Sequence, residues 1–193
     1  MKAYIIHGWD YTPDQNWYPW LAQELEREGI PTVVPAMPDP AKPTIDAWVQ
    51  KLNEILPAPD PSVVLVGHSI GCQAIMRYLA GLPPTAKVGT IIMVAPWLVL
   101  TNLEDEETEQ IAAPWLNSDI DFEAVRDKCG QVYCFFSADD PFVPVENADL
   151  FLRNLNAHTI VEENKGHYTA DEGVTEVKMV RDFLLTEIES PIG

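Results

Sequence analysis

The sequence predicts a doubly wound α/β domain, a mostly parallel sheet of about six strands covered by helices on both faces. Three observations carry this. Short β-branched runs alternate along the chain with amphipathic segments of helical period. The runs are apolar at successive positions, as strands buried on both faces must be. Strand–helix alternation calls for parallel strands joined by crossover connections.

The elements follow in order. Ala3–Ile6 reads as a strand that stops at His7-Gly8. Trp17–Glu28 reads as a helix with Trp17, Leu21 and Leu25 on one side, and Gly29 stops it. Ile30–Val34 is the next strand, closed by Pro35, and Ile45–Leu56 a helix presenting Ile45, Trp48, Val49, Leu52 and Leu56. Val63–Val66 is a strand and Ile70–Ala80 its helix; Val88–Val94 follows as a strand. Phe122–Lys128 is a short helix, Val132–Phe136 a strand, Val145–Leu155 a helix and His158–Val161 a short strand; Glu172–Ile188 is the last helix. Residues 97–120 form the one long irregular connection, with the charge run Glu104-Asp105-Glu106-Glu107-Thr108-Glu109. Such a run is ordinarily a solvated face, and an insertion of this length after a strand can also be a short lid. No repeat or linker divides residues 1–193, so one domain is expected.

Composition narrows the function. At 47% hydrophobic the chain can bury a substantial core. The net charge of −18 and the lack of a basic stripe argue against nucleic acid and against an anionic membrane surface. Cys72, Cys129 and Cys134 have no metal-ligand spacing and read as reduced thiols. No segment reads as a signal peptide or a membrane span, which points to a cytoplasmic protein.

The chemistry begins at Val63–Tyr78, SVVLVGHSIGCQAIMRY with its preceding serine. Gly67-x-Ser69-x-Gly71 sits between a strand and a helix, the layout of a nucleophile elbow. The tight turn raises Ser69 above the sheet edge at a helix N-terminus, where free N–H groups favour negative charge. Backbone N–H of Ile70 is then placed to bind the oxyanion of a tetrahedral intermediate. The competing reading is a glycine-rich turn whose serine caps the helix. His68 lies inside the motif with its side chain expected to point away from Ser69.

A serine nucleophile needs a base, and the base needs an orienting acid. Ser137-Ala138-Asp139-Asp140 and Lys165-Gly166-His167-Tyr168 both follow strand ends, at the same sheet edge as Ser69. His167 is the candidate base. Asp140 is favoured as acid because Asp140-Pro141-Phe142-Val143-Pro144 looks like the DxxVP stretch after the acid of many α/β-hydrolases. Asp139 stays open as the alternative, or as a turn cap. The loop after the first strand supplies the second oxyanion donor in this fold, so backbone N–H of Trp9 is the candidate, with His7 positioning that loop. Tyr11, Met37, Trp97 and Trp115 are candidates to line an apolar acyl pocket.

IIHGW, NWYPWL at Asn16–Leu21, PAMPDP at Pro35–Pro40, GHSIG, SADDPFVP and GHY together resemble, over most of the chain, a family of small α/β-hydrolases. These are the serine hydrolases that include retinoblastoma-binding protein nine and bacterial YdeN-type proteins. The resemblance implies a compact α/β-hydrolase fold without a large cap domain, Ser69 as nucleophile, Asp140 as acid and His167 as base. It also implies a hydrolase, and such a triad would cleave a small ester, thioester or amide through an acyl-enzyme, with a small-molecule acyl substrate and no need of a cofactor or metal. Acyl transfer with the same triad, or a catalytically silent binding protein of the same fold, are the alternatives. The Leu-x-Cys-x-Glu pattern associated with retinoblastoma-protein binding does not occur, so that partner is not carried over.

Overall fold

In the computed structural model, residues 1–103 and 105–189 are described, and Glu104 of the acidic run lies outside them. The sheet has six strands in the order β2-β1-β3-β4-β5-β6. They are β1 (Lys2–Ile6), β2 (Thr32–Val33), β3 (Val63–His68), β4 (Val88–Val94), β5 (Cys129–Ser137) and β6 (His158–Glu162), and every pairing is parallel. Between them run α1 (Tyr18–Arg27), α2 (Ile45–Ile55), α3 (Ile70–Ala80), α4 (Glu106–Asn117), α5 (Phe122–Lys128) and α6 (Asn147–Leu155), and α7 (Lys178–Glu189) follows β6.

The period-two alternation of a strand sorts the core into two layers. Tyr4, Ile6, Leu65, Met93, Cys134 and Phe136 pack in one layer with Trp48 and Leu52 of α2, Ile75 of α3 and Phe151 of α6. Ala3, Ile5, Val64, Val66, Ile92 and Phe135 face the other way, onto Leu21 and Leu25 of α1 and Val180 and Leu184 of α7. The apolar strand runs in the sequence are therefore continuous because both faces are covered.

Three expectations are corrected. Strand β2 is only Thr32–Val33, because Pro31 and Pro35 flank it and neither has an N–H for the ladder. The connection 97–120 is not wholly irregular, since it contains α4. Asp105 caps that helix by accepting a hydrogen bond from Thr108 N at 2.8 Å, and Glu106, Glu107 and Glu109 lie in its first turn, where the helix dipole favours them. The acidic run is a helix N-terminus, and Pro114 within the helix hides the pattern that follows. The last helix begins at Lys178 rather than Glu172. Ala170–Glu172 form a separate 3₁₀ turn that Gly173 ends with φ +83°, and Glu172 closes a capping box with Thr169.

The strand order reverses direction between β1 and β3, because the chain runs from β1 out to β2 and returns to the other side of β1. A crevice opens outside the carboxyl ends of strands at such a point. It is held narrow by Gly67 and Gly71. A Cβ on Gly71 would lie 2.4 Å from the carbonyl oxygen of Ile6, and one on Gly67 would lie 2.9 Å from the amide nitrogen of Cys72. Backbone cannot yield as a flexible side chain would, so Gly71→Ala should push α3 off β1. We expect a loss of about 1–3 kcal/mol in urea unfolding.

Candidate active site

Ser69 ends β3 and opens α3 with φ 52° and ψ −119°, a conformation strained for any residue with a Cβ. The turn is pinned by Ser69 N donating to Val94 O at 2.9 Å and by Cys72 N donating to Ser69 O at 3.0 Å. The side chain is thereby delivered to the crevice while the residue stays only 7% exposed. Its Oγ lies 2.9 Å from His167 Nε2. His167 Nδ1 lies 2.8 Å from Asp140 Oδ2. A carboxylate accepts, so Nδ1 carries the proton and Nε2 of the neutral ring is free to accept from the serine hydroxyl. Asp140 Oδ1 accepts from Phe142 N and Val143 N, each at 2.9 Å, which fixes the carboxylate.

The adjacent aspartate has a different position. Asp139 Oδ1 accepts from Ser137 Oγ at 2.6 Å and from Lys165 N at 3.1 Å and Gly166 N at 3.3 Å. These bonds, from Ser137 above all, hold its carboxyl below the usual range. Asp140 touches the imidazole of His167, and Asp139 holds the loop that carries it. Glu172 adds a further tie, accepting from His167 N at 2.6 Å. Left-handed Gly166 (φ 50°) and Tyr168 (φ 57°) on either side turn the histidine back toward the sheet.

The two expected oxyanion donors stand at the same edge. Trp9 N and Ile70 N have no acceptor among the described residues. Ile70 is the first residue of α3, where an amide has no intrahelical partner. His7 sets the other. Its Nδ1 donates to Gly8 O at 2.8 Å while Nε2 accepts from Met37 N at 3.0 Å. A trans peptide points its N–H away from its C=O, so anchoring Gly8 O turns Trp9 N–H to the opposite side.

A cavity of about 500 Å³ opens over Ser69 and His167. Tyr11 and Trp97, two of the expected pocket residues, line it; Trp9, Leu100, Leu103, Ile111 and Phe142 are among the other apolar residues of its wall. Met37 and Trp115 do not line it. Met37 is 3% exposed and Trp115 2% exposed within the core layer of α2 and α3, where Trp115 stacks edge-on against Trp48 and donates to Pro43 O. Large apolar groups next to the crevice fill the core beneath it instead. Asp10, Asp105 and Glu107 stand at the cavity mouth with Lys42, which pairs with Glu107 at 2.7 Å. Among the described residues, no group of three or more His, Cys, Asp or Glu side chains is arranged to hold a metal ion.

His68 points away from Ser69, into a buried relay that the sequence does not reveal. Nε2 donates to His167 O at 2.9 Å, because a carbonyl can only accept. Nδ1 therefore accepts, from Tyr18 Oη at 2.6 Å, and Tyr18 Oη accepts from Gly8 N at 3.0 Å. One neutral imidazole thus ties the loop of Trp9 to the loop of His167. Trp17 reinforces the link by donating to Tyr168 O at 3.1 Å. Trp17 and Tyr18 of the aromatic run NWYPWL are the scaffold of this relay.

With this geometry in place, comparison with known proteins is decisive about kinship. The sequence pattern of the serine hydrolase family matches residues 3–186. The chain belongs to that family. It is 27% identical to YdeN of Bacillus subtilis over 183 residues, covering 95% of this chain and 94% of the relative. It is 26% identical to serine hydrolase RBBP9 of Rattus norvegicus over 187 residues, 95% of each chain. The crystal structure of the B. subtilis ydeN product superimposes with a TM-score of 0.88 over 98% of this chain and 99% of that one, at 27% identity. Est1E of Butyrivibrio proteoclasticus, determined with ferulic acid bound, shares the fold at a TM-score of 0.74 and 16% identity, over 98% of this chain and 90% of that one. The protein is a serine hydrolase with the α/β-hydrolase fold, and no helix among the described residues is long and apolar enough to cross a membrane.

Burial, and secondarily the nearby His167, push His68 from 6.5 down to about 3. The unfolded chain protonates this group below about 6.5 while the folded chain leaves it neutral, so the unfolded state binds more protons in between. The stability His68 confers as a neutral group is full above that value and is lost as pH falls toward the folded pKa. Between pH 6 and 4, wild-type unfolding free energy should fall more steeply than that of His68→Gln, by roughly 1–1.5 kcal/mol per pH unit. Urea titrations of both proteins across this range test it; parallel curves would refute it.

Proposed function

We propose that Ser69, His167 and Asp140 act as a nucleophile–base–acid triad that cleaves a small ester, thioester or amide through an acyl-enzyme. The observation that carries this reading is the unbroken chain of contacts, 2.9 Å from Ser69 Oγ to His167 Nε2 and 2.8 Å from His167 Nδ1 to Asp140 Oδ2. His167 takes the serine proton as Oγ attacks the carbonyl carbon. Asp140 keeps the ring in the tautomer that can accept and stabilises the imidazolium. The N–H groups of Trp9 and Ile70 receive the oxyanion, an electrostatic contribution for which one donor is typically worth about 10²–10³ in rate. His167 then protonates the leaving group, and water activated by the same ring releases the acid.

The apolar wall of Trp9, Leu100, Ile111 and Phe142 suits an apolar acyl group of modest size. Three carboxylates against one lysine at the mouth, on a chain of net charge −18, disfavour polyanionic substrates. The segment 97–120 serves in this reading as a short cover whose helix α4 contributes Thr108 and Ile111 to the wall. A reduced, cytoplasmic setting fits the free thiols Cys72, Cys129 and Cys134.

Treatment with a fluorophosphonate should add one adduct to the wild-type mass and none to Ser69→Ala or His167→Ala. On p-nitrophenyl esters, Asp140→Asn should lose on the order of 10⁴ in kcat, whereas Asp139→Asn, which loosens the loop but leaves the imidazole partner in place, should lose far less. Equal losses, or an unlabelled wild type, would sink the assignment.

A further inference from the structure

Ser69 Oγ has a second polar partner. Trp97 Nε1 lies 3.3 Å from it and donates to it. Trp97 is 1% exposed, and its indole N–H has no other acceptor among the described residues. Were this side chain only a wall of the cavity, a phenyl ring would serve without bringing a donor that must be satisfied.

The loop that holds it is unusually constrained. Ala95, two residues before, adopts φ 48° and is pinned by its N–H donating to Phe135 O at 2.8 Å. Gln73 of α3, 1% exposed, donates through Nε2 to Trp97 O at 2.6 Å. Asn147 of α6, also 1% exposed, accepts through Oδ1 from Leu98 N at 2.7 Å and Val99 N at 3.0 Å, and returns a bond from Nδ2 to Val99 O at 3.0 Å. Two buried amide side chains and a strained alanine converge on the few residues that place one indole. Backbone strain of this kind persists only where the surroundings over-determine it.

We propose that Trp97 Nε1–H is a catalytic hydrogen-bond donor to Ser69 Oγ that acts chiefly in deacylation, an inference that rests on the triad mechanism above. In the free enzyme Oγ is a hydroxyl that already accepts this bond, so acylation gains little from it. In the acyl-enzyme Oγ is an ester oxygen, a poor acceptor. Water then attacks the acyl carbon and gives its proton to His167. When the tetrahedral intermediate collapses, the carbon–Oγ bond breaks, its electron pair moves to Oγ, and the imidazolium Nε2–H returns the proton to Oγ. Negative charge grows on Oγ along this step, and a fixed donor beside it binds more strongly in the transition state than in the acyl-enzyme. The two half-reactions share a similar transition state and differ in their ground states, which is why one donor affects them unequally.

The test is rapid mixing of Trp97→Phe with p-nitrophenyl acetate, with intact mass recorded during turnover. The variant should release one enzyme equivalent of p-nitrophenol at a rate within about threefold of wild type, then turn over about 10–100-fold more slowly, with acetylated enzyme as the main species. Loss of both phases in equal measure would make Trp97 a packing residue, and an unchanged steady rate would deny it any role. Should Trp97→Phe not fold, 3-benzothienylalanine at position 97 keeps the shape and replaces the N–H with sulfur, and the same outcomes decide the matter. Fluorophosphonate labelling of wild type separates the two levels of argument. A labelled wild type without acyl-enzyme accumulation in the variant overturns only the role of Trp97, and an unlabelled wild type overturns the triad as well.

Discussion

The crevice depends on the close approach of α3 to β1. Gly71 lets the first turn of the helix pass the carbonyl of Ile6 where a Cβ would come within 2.4 Å. That approach keeps the end of β3 beside the end of β1, so that Ser69 and Trp9 line one cavity. Strain at Ser69 is the counterpart of this constraint. The turn is kept in an unfavourable region because the neighbouring strand and helix, each buried on nearly every side, leave it no other path.

Charge in the site is handled by dividing labour among neighbouring acids. Asp139 and Asp140 are consecutive, yet one binds loop amides and the other binds an imidazole, because successive residues in a turn direct their side chains differently. Glu172 holds His167 N while also completing its own capping box. Three carboxylates thus surround one histidine, each already engaged by donors, and only one of them faces the ring.

Below Ser69, His167 and Asp140 lies an uncharged layer. His68 is fully buried and neutral, and Tyr18 beside it is raised well above the usual phenol range by burial. Neutral groups can be buried at modest cost when every donor and acceptor is matched, and here the relay from Gly8 N through Tyr18 and His68 to His167 O matches them all. A charged relay in the same place would have had to bear a much larger desolvation penalty. The arrangement ties the loop after β1 to the loop of His167 without adding a charge beside Asp140.

Local physics was legible in the sequence. Runs such as Val63–Val66 and Val88–Val94 declared buried strands, and Gly67-x-Ser69-x-Gly71 declared the turn, because these signals come from residues adjacent in the chain and from periods of two and 3.6. The order of Ser69, Asp140 and His167, each after a strand, placed them at one edge of a parallel sheet, and the family motifs supported the same residues. Helix α4 is not legible in the sequence, because an acidic first turn and an internal Pro114 resemble a solvated loop. Tertiary structure alone decided what depends on distance across the chain: that Asp139 holds the loop of His167, that Met37 and Trp115 fill the core while Leu100 and Ile111 line the cavity, that His68 reaches the backbone of His167, and that Trp97 reaches Ser69 Oγ. Contacts between residues 28 to 99 positions apart are set by how layers pack, and packing leaves no periodic trace in a single sequence.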